Sequence, residues 1–281
     1  MNGANAIDTK TKDTRTARRA PLTDRAPTLV IKVGGANLER AEYLERLAET
    51  VEDLCSSGAR VVLVHGGGVQ IAELHDRLDV PSRTLDGLRV TSERTLELTT
   101  QVLCGSMNKR VVASLVRRGV PALGVSGIDL GLLRARLVDP TRLGRVGEIE
   151  RVDTERLETL LDAVGVVVLA PVSGVDDGGT ANVNADSAAH AIATALRADS
   201  LDFVSDVPGV RTDAASDEVA ACLDTDEIDA LVADRDVVKG GMRPKLVAAA
   251  EAVRNGVGRV RIGTLAGMST GRATRIVAVE R

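Results

Sequence analysis

The sequence lacks the long apolar run that a membrane-spanning helix requires. No stretch of the 281 residues approaches the ~20 apolar residues that cross a bilayer. Residues 1–26 are polar and contain none of the apolar core of a secretory signal. These two absences predict a soluble protein of the cytoplasm with no membrane partner.

A strong imbalance of charge is absent, and cysteine is scarce. The 36 Lys and Arg residues stand against 40 Asp and Glu residues, which leaves a formal net charge of −4. Without a basic excess, the sequence carries no signature of nucleic-acid binding. Cys55, Cys104 and Cys222 lie far apart and match no metal-ligand spacing. We interpret them as core residues or free thiols in a reducing compartment.

Several familiar catalytic motifs are also missing. The sequence has no G-x-x-x-x-G-K-[ST] phosphate loop, and no G-x-G-x-x-G follows a strand-like run. Its one G-x-S-x-G is Gly267–Gly271, near the end of the chain, and no histidine follows it. Because α/β-hydrolases order their triad as Ser, Asp, His, this position excludes that class of enzyme.

Two apolar runs that end in glycines are present instead. Leu29–Val33 leads into Gly34–Gly35, and Val61–Val64 leads through His65 into Gly66–Gly68. A helical pattern follows each run, so the order predicts a parallel sheet with right-handed crossovers. Glycine backbone and helix starts at the carboxyl ends of such strands can hold an anion. The alternative is a tight turn that binds nothing.

Lysine is rare, which makes its positions informative. The chain has six lysines, and Lys32, Lys239 and Lys245 lie beside glycine pairs. Lys32 falls within an apolar strand, where a buried ammonium is costly unless an anion meets it. The alternative is an edge strand from which Lys32 reaches solvent. Lys245 falls in the first turn of a predicted helix, where the dipole disfavours a cation. Both positions therefore indicate an anion partner.

A polar segment and one arginine add candidates. Asn182, Asn184 and Asp186 alternate with apolar residues, so an extended segment would point all three side chains one way before a helix over 188–197. Asp186 has the alternative of a helix cap. Arg89 lies in a predicted loop over 86–91, for which a short hairpin is the alternative. Its side chain is interpreted either as a carboxylate clamp or as a solvated loop charge.

The remaining pattern predicts alternating strands and helices. Helices are expected over 41–57, 154–163 and 225–234, and a helical region over 93–118 is expected to be interrupted at Gly105. Apolar alternation over 128–152 predicts a hairpin. Residues 1–26 show no apolar periodicity, which predicts a mobile tail; a helix that docks on another subunit is the alternative.

Seven motifs, in order, resemble those of the amino acid kinase family, and within it of the kinases that act on N-acetyl-L-glutamate. They are Val30–Gly35, Val64–Gly68, Gly87–Thr91, Asn108–Lys109, Asn182–Asp186, Ser205–Val210 and Gly240–Lys245. The resemblance implies an α/β fold, an open αβα sandwich with a mainly parallel central sheet and two lobes. It implies that residues 27–185 bind an acyl amino acid and that residues 186–281 bind ATP.

The resemblance also implies a reaction. MgATP would phosphorylate the side-chain carboxylate of N-acetyl-L-glutamate, a step of arginine biosynthesis. Lys32 and Lys245 would stabilise the transferring phosphoryl group, and Asp186 would hold both lysines in place. Mg²⁺ would be held mainly by phosphates, so no protein metal ligand is predicted.

Matching the motifs residue by residue assigns the remaining site. The residues expected to contact the phosphoryl group and the acceptor are Gly66, Gly67, Gly68, Arg89, Asn182 and Asn184, with Arg89 on the α-carboxylate. The residues expected to line the nucleotide are Ser205, Asp206, Val207, Gly209, Val210, Arg211, Val237, Val238 and Lys239.

Some positions depart from the family pattern. Arg243 stands beside Lys245 where the family usually has an apolar residue, and Ser126–Leu130 replaces a run that usually bears a lysine. Ser269–Arg275 lacks the pattern of members inhibited by arginine, which predicts an arginine-insensitive enzyme.

Several readings stay open at this point. The acceptor could be N-succinylglutamate, a carrier-linked aminoadipate or glutamate, or carbamate. A non-catalytic sensor of nucleotide or amino acid with the same fold is the alternative to an enzyme. The family's dimer makes a homodimer the expected assembly, and residues 1–26 could build a larger one.

Overall fold

The computed structural model describes residues 25–85, 87–213, 216–234, 238 and 240–279. Most of the predicted tail over 1–26 lies outside the described residues, as do the nucleotide-site candidates Val237 and Lys239. The described chain is a mixed α/β structure with one large sheet and one small closed sheet. No helix within it is long and apolar enough to cross a membrane.

Strands and helices alternate along most of the chain. The first elements are β1 (Thr28–Val33), α1 (Ala41–Ser56), β2 (Arg60–His65), α2 (Gly68–Arg77), β3 (Thr84–Leu85), β4 (Leu88–Arg89), α3 (Glu93–Thr100), α4 (Asn108–Arg117) and β5 (Ala122–Ser126). There follow β6 (Leu133–Leu137), β7 (Val146–Val152), α5 (Thr154–Val164), β8 (Val166–Ala170), β9 (Val172–Gly174), β10 (Thr180–Val183), α6 (Ala185–Leu196) and β11 (Ser200–Val204). The last are β12 (Cys222–Asp224), α7 (Thr225–Ala233), α8 (Met242–Arg254), β13 (Val260–Gly263), α9 (Leu265–Thr270) and β14 (Thr274–Val277).

The large sheet has eight strands in the order β12-β14-β13-β11-β1-β2-β8-β5. Every neighbouring pair is parallel except β13 with β14. All residues of β1 and β8 are buried, as expected for strands that helices cover on both faces. The mainly parallel central sheet predicted from the sequence is confirmed.

Helices cover both faces of this sheet. On one face Leu47 and Val51 of α1 pack with Val111 of α4. On the other face Ile192 of α6 packs in the same core as Leu246 of α8. The apolar positions of α1 recur at helical spacing, so the helix presents one continuous apolar stripe to the sheet. The result is the expected αβα sandwich.

The small sheet closes on itself in the order β10-β7-β6-β9. Its strands β6 and β7 are antiparallel, which confirms the hairpin predicted over 128–152. Strands β3 and β4 also pair antiparallel, Thr84–Leu85 with Leu88–Arg89, so the hairpin begins before the segment 86–91 that was predicted to be a loop or a short hairpin. Both the small sheet and the short hairpin contribute residues to one cavity beside the large sheet.

Two helical predictions differ from the structure. The helix is not interrupted at Gly105, because Gln101–Met107 form a π-helical stretch that joins α3 to α4. The helix expected from residue 188 begins at Ala185 instead. It begins early because the side chain of Asn184 caps it, accepting hydrogen bonds from the amides of Asp186 (2.8 Å) and Ser187 (3.2 Å).

Candidate active site

The loops after β1 and β2 touch each other at the carboxyl edge of the sheet. A Cβ atom placed on Gly35 would lie 2.5 Å from the Cα atom of Gly67, so this approach requires glycine. The two loops open onto a cavity of about 280 Å³. Besides Gly35 and Gly67, these two segments contribute Lys32, Gly66, Gly68 and Ile71 to its lining. Five further segments contribute Thr84, Gly87, Leu88, Arg89, Leu103, Val146, Pro171, Asn182, Val183, Asn184, Ala185 and Asp186.

A cluster of three buried charges borders this cavity. The Nζ atoms of Lys32 and Lys245 each lie 3.0 Å from Oδ1 of Asp186. The three side chains are between 7% and 10% exposed. The structure therefore brings together the three predicted catalytic residues, which lie more than fifty positions apart in the sequence. One carboxylate holds two ammonium groups, so the cluster keeps a surplus positive charge.

The fold fixes each member of the cluster from a different element. Lys32 lies on β1, which pairs with β11 on one side and β2 on the other, so the alternative of an edge strand is wrong. Lys245 lies in the first turn of α8, as predicted, and its Nζ atom stands 5.5 Å from the ring centroid of Phe203. A cation over an aromatic face is stabilised by the ring quadrupole.

The charges in the cluster shift each other's proton affinity. Burial raises the pKa of the Asp186 carboxyl, but the adjacent ammonium groups of Lys32 and Lys245 outweigh burial and hold that pKa below its ordinary value. Burial lowers the pKa of Lys245 to about 8, helped by the charge of Lys32 and opposed by Asp186. An anion placed against Lys245 would oppose both lowering effects and keep the ammonium charged.

The expectation that Asn182, Asn184 and Asp186 share one extended face is wrong. Asn182 lies on β10 and its Nδ2 atom donates to Oγ1 of Thr91, 3.2 Å away. Asn184 is the cap of α6, and Asp186 already lies within that helix. All three nevertheless line the cavity, because the strand-to-helix junction turns at its mouth. The alternative that Asp186 is a helix cap is therefore wrong, because Asn184 caps α6.

Arg89 also lines the cavity, from β4. Its Nη2 atom donates to the carbonyl oxygen of Gly68 at 2.9 Å, and its Nη1 atom donates to Oγ of Ser82. Partial burial lowers its pKa from the ordinary value. The guanidinium is thus anchored to the glycine loop rather than free in solvent, which disfavours the solvated alternative.

The nucleotide-site candidates that the structure describes do not line this cavity. Ser205 follows β11, and its amide donates to the carbonyl oxygen of Gly263 at 2.8 Å. Val210 is buried and its amide donates to Oγ1 of Thr274 at 2.9 Å, while Arg211 pairs with Asp217 at 2.8 Å. The other described candidates on this side are Asp206, Val207, Gly209 and Val238. Asp206, Val207 and Gly209 lie in the loop after β11, and Val238 lies before the start of α8.

A second cavity, the α1–α9 crevice, has a volume of about 490 Å³ and reaches Asp206. Its lining residues are Asn37, Arg40, Tyr43, Arg46, Glu49, Thr50, Ser205, Asp206, Thr264, Leu265, Ala266 and Ser269. Asn37 donates through Nδ2 to the Asp206 carboxylate, which ties the loop after β1 to the loop after β11. Burial, with a smaller contribution from Asp206, raises the pKa of Tyr43 to about 12.

Sequence reasoning assigned no role to several residues that form the site. Leu103 lines the cavity from the π-helical stretch, and an apolar residue at helical spacing is indistinguishable from core in the sequence. Thr91 holds Asn182. His65 and Asn108 stand in quoted motifs, and the structure buries both behind the glycine loop. Their positions inside the motifs Val64–Gly68 and Asn108–Lys109 were the sequence signal that could have identified them.

The chain matches one family model, described as the amino acid kinase family, over residues 27–264. The chain belongs to the amino acid kinase family. Two amino acid kinases similar to it are the acetylglutamate kinases of Rubrobacter xylanophilus and Methanopyrus kandleri. The first is 45% identical over 249 residues, which cover 87% of this chain and 94% of the relative. The second is 43% identical over 255 residues, covering 87% and 98%.

A solved structure has the same amino acid kinase architecture. Smu.665 from Streptococcus mutans is 29% identical, with a TM-score of 0.80, and the match covers 90% of this chain and 99% of that one. The predicted membership in the amino acid kinase family and the predicted fold class are both confirmed. The match to residues 27–264 contains the three-charge cluster and both glycine-ended strands.

Magnesium, which the kinase family implies, finds no protein ligand set in the described part of the chain. Among the described residues, no group of three or more His, Cys, Asp or Glu side chains could hold a metal ion. The acid at the cavity, Asp186, already accepts from two lysines through one oxygen. These donors therefore suit an ammonium pair better than a divalent cation.

Proposed function

We propose that this chain is an acetylglutamate kinase, which transfers the γ-phosphoryl group of ATP to the side-chain carboxylate of N-acetyl-L-glutamate in arginine biosynthesis. The observation that carries the proposal is the pair of ammonium groups, each 3.0 Å from one Asp186 oxygen, beside a glycine-lined cavity. Relatives with that name match nearly their whole length. Phosphoryl transfer requires this kind of positive, preorganised environment and little covalent participation.

The transfer step follows from the charges around the cavity. An oxygen of the acceptor carboxylate attacks the γ-phosphorus, and the bond from that phosphorus to the oxygen bridging the β-phosphorus breaks. The electron pair of that bond leaves with ADP. Lys32 and Lys245 stabilise the negative charge on the equatorial oxygens, and Asp186 holds both ammonium groups where that charge develops. Removing such a contact costs on the order of 3 kcal/mol of barrier.

The acceptor lies in the cavity in this proposal. Backbone amides of Gly67 and Gly68 face the phosphoryl and acceptor oxygens. The amide of Gly66 donates to the carbonyl oxygen of Val33 at 3.0 Å, so the expectation that it too would face the substrate is wrong. Arg89 binds the α-carboxylate as a bidentate partner. Asn182 and Asn184 contact the rest of the acyl amino acid. Residues 27–185 thereby form the acceptor lobe, and residues 186–281 form the nucleotide lobe.

The nucleotide lies over the loop after β11 in this proposal. The residues proposed to line it are Ser205, Asp206, Val207, Gly209, Val210, Arg211 and Val238, together with Val237 and Lys239. Mg²⁺ arrives with ATP and is held by its phosphate oxygens, neutralising part of their charge. None of the described carboxylates is assigned to it.

The cavity wall favours a small apolar acyl group. Leu88, Leu103 and Val146 are apolar, and the cations among the described lining residues are Lys32 and Arg89. The phosphoryl group and the α-carboxylate engage those two cations. A succinyl group would bring a further carboxylate with no cation to meet it, and an unpaired buried charge is costly.

Hydroxylamine trapping of the acyl phosphate tests the function. The enzyme is supplied with MgATP and, separately, N-acetyl-L-glutamate, N-succinyl-L-glutamate, free glutamate or carbamate. We expect hydroxamate with N-acetyl-L-glutamate and none with free glutamate. Hydroxamate with the succinyl compound alone would show that N-succinyl-L-glutamate is the acceptor. Binding of ATP without any product would contradict the proposed reaction and favour a sensor or a carrier-linked acceptor.

Assembly and regulation complete the proposal. We propose a cytoplasmic homodimer that arginine does not inhibit, and light scattering of the full chain measures the mass that decides the assembly. Strand β5 supports the dimer because it ends the large sheet and pairs only with β8 among the described strands. The lack of inhibition is supported by the segment Ser269–Arg275, which does not have the sequence pattern of family members that arginine inhibits. A rate that falls in millimolar-range arginine would contradict it.

A further inference from the structure

Behind the glycine loop, two buried polar side chains contact each other. His65 ends β2 and is fully buried, and its Nδ1 atom lies 3.2 Å from the carbonyl oxygen of Gly66. Asn108, 1% exposed, begins α4 and places its Nδ2 atom 3.4 Å from Nε2 of His65. Neither residue lines the cavity, so the transfer step described above uses neither of them.

The surroundings of Asn108 are built to hold its carboxamide in place. Its Nδ2 atom also lies 3.0 Å from the carbonyl oxygen of Val168 and 3.3 Å from that of Val125. Its Oδ1 atom accepts from Nζ of Lys109 at 3.1 Å. A Cβ atom on Gly124 of β5 would collide with that Oδ1 atom, so glycine makes the room. The contacts fix which end of the carboxamide faces His65.

This network determines the tautomer of His65. The Nδ1 atom faces a carbonyl oxygen and therefore carries the proton, while Nε2 faces the amide nitrogen of Asn108, a group that has only donors and shares its two hydrogens among Nε2 and two backbone carbonyl oxygens. Protonation of Nε2 would set two donors against each other. Burial lowers the pKa of His65 to about 4, opposed by the Gly66 hydrogen bond. The ring is thus neutral at physiological pH, with one defined donor.

The donor acts on the peptide that joins Gly66 to Gly67. The described peptide bonds are all trans, and a trans peptide points its N–H opposite to its C=O. Holding the Gly66 carbonyl against His65 therefore fixes the direction of the Gly67 amide. Among the described residues, no protein acceptor receives that amide. Two adjacent glycines have no side chains of their own to limit rotation of this peptide.

We infer that His65 and Asn108 are a positioning pair, which holds the Gly66–Gly67 peptide so that the Gly67 amide points into the cavity at the transferring phosphoryl group. The inference rests on the proposed kinase function for the identity of that group. A donor preorganised towards developing charge lowers the barrier without reorganisation during the reaction. The pair acts through the peptide and does not touch the substrate.

His75 provides a matched control for His65. It too is fully buried, and its Nδ1 atom lies 3.1 Å from a backbone carbonyl oxygen, that of Val80. It lies on α2 and does not line the cavity. Loss of either ring removes the same buried volume and one hydrogen bond to a backbone carbonyl oxygen. Loss of His65 also removes the contact with Asn108, whereas Nε2 of His75 has no hydrogen-bond partner in the described part of the chain. A merely structural role would therefore make both substitutions lower stability without a specific loss of kcat in His65→Leu.

Kinetics of three variants test the pair. We expect His65→Leu to lower kcat by about tenfold or more, with an unchanged KM for N-acetyl-L-glutamate, since the contact acts in the transition state. His65→Asn restores an N–H near the Nδ1 position and should recover most of kcat. His75→Leu should also lower the melting temperature while kcat stays unchanged. Full kcat in His65→Leu, or equal losses in both leucine variants, would overturn the inference.

A measurement on the wild type separates this inference from the proposed function. Long-range ¹H–¹⁵N correlation spectra report the tautomer of each histidine, and the signals of His65 are identified by their loss in His65→Asn. We expect the Nδ1–H tautomer at neutral pH. The Nε2–H tautomer, or a charged ring, would overturn the pair whether or not the enzyme has activity. Absence of hydroxamate from the wild type, with the Nδ1–H tautomer present, would remove the proposed function alone.

Discussion

Two buried carboxylates on this protein are equally inaccessible but differently paired. Asp186 is 5% exposed and Asp202 is 6% exposed. Asp202 receives two hydrogen bonds from one guanidinium, with Nε of Arg261 at 2.8 Å from Oδ1 and Nη2 at 2.6 Å from Oδ2. Asp186 receives two ammonium groups on a single oxygen. The Asp202–Arg261 pair is electrically neutral. The cluster around Asp186 has one positive charge more than it has negative charges.

The difference separates a structural ion pair from a site. The third donor of Arg261, Nη1, binds the carbonyl oxygen of Met268 at 3.0 Å, so this pair fastens β13 to the end of α9. For the lysine pair, the described part of the chain shows no comparable hydrogen bond to a backbone carbonyl oxygen, and the pair adjoins a cavity. Burying an unbalanced charge destabilises the folded protein, so the surplus positive charge supports the proposal that an anion binds there. Burial of a charged group alone would not have distinguished these two places.

The largest effect should come from removing either lysine. We expect Lys32→Met and Lys245→Met to lower kcat by about a hundredfold or more, because each removes charge that stabilises the transferring phosphoryl group. The measurement is the rate of hydroxamate formation. Arg261→Met is the control from the neutral pair, and its kcat should match the wild type at temperatures where it is folded. Comparable losses in all three variants would erase the distinction between the two clusters.

Removal of the shared acid should have the next largest effect, on stability. Asp186→Asn leaves two buried ammonium groups without a counter-charge, and we expect it to reduce the free energy of unfolding by about 3 kcal/mol. Urea denaturation near neutral pH measures the change. Adding Lys245→Met to Asp186→Asn should recover part of the loss, because the double variant buries one charge fewer. No recovery would mean that repulsion between the lysines is unimportant.

The pH dependence of catalysis should single out the lysine cluster. Because the pKa of Lys245 is lowered to about 8, kcat/KM should fall by about tenfold per pH unit above that value as the free enzyme loses the ammonium charge. The pH–rate profile measures this limb, and Arg261→Met should keep it. A flat profile through pH 9 to 10 would show that Lys245 stays charged or does not act through its charge.

The smallest expected effect is on the free energy of unfolding, which should change in opposite directions in Lys245→Met and Arg261→Met. Lys245 binds its proton less tightly in the folded chain, so its charge disfavours folding below a pH of about 8, and that penalty disappears as the pH rises towards the unfolded value. Near neutral pH we expect Lys245→Met to raise the free energy of unfolding by about 1 kcal/mol. Arg261→Met should lower it, since it leaves Asp202 unpaired. Denaturation curves of the two variants give both signs directly.

Local sequence patterns anticipated the parts of the site that backbone chemistry dictates. Glycines directly after β1 and β2 marked the edge of the sheet where the cavity lies. A lysine inside an apolar strand indicated a buried charge with an anionic partner, and that partner is the Asp186 carboxylate. Parallel order followed from alternating strands and helices, because such strands end at the same edge. Family resemblance then supplied the pairing of Lys32 with Lys245, which no local pattern contained.

Other features depend on tertiary contacts that the pattern does not encode. The cap at Asn184 moved the start of α6 and turned Asp186 inward, although period-two alternation predicted an extended segment. The π-helical stretch around Gly105 shifts α4 so that Asn108 faces the sheet, while the sequence indicated a break. His65 looked like part of a glycine motif because its partner lies on another element, 43 positions away.

The near absence of aromatic residues gives the protein an optical property of its own. The chain has no tryptophan and one tyrosine, so near-ultraviolet-excited emission comes from a single phenol. Tyr43 lies in the α1–α9 crevice with Asp206, whose carboxylate belongs to the loop proposed to line the nucleotide. Movement of that loop changes the distance from carboxylate to phenol. The protein thus carries one intrinsic tyrosine fluorophore beside that loop, and no label has to be introduced to follow the loop's movement.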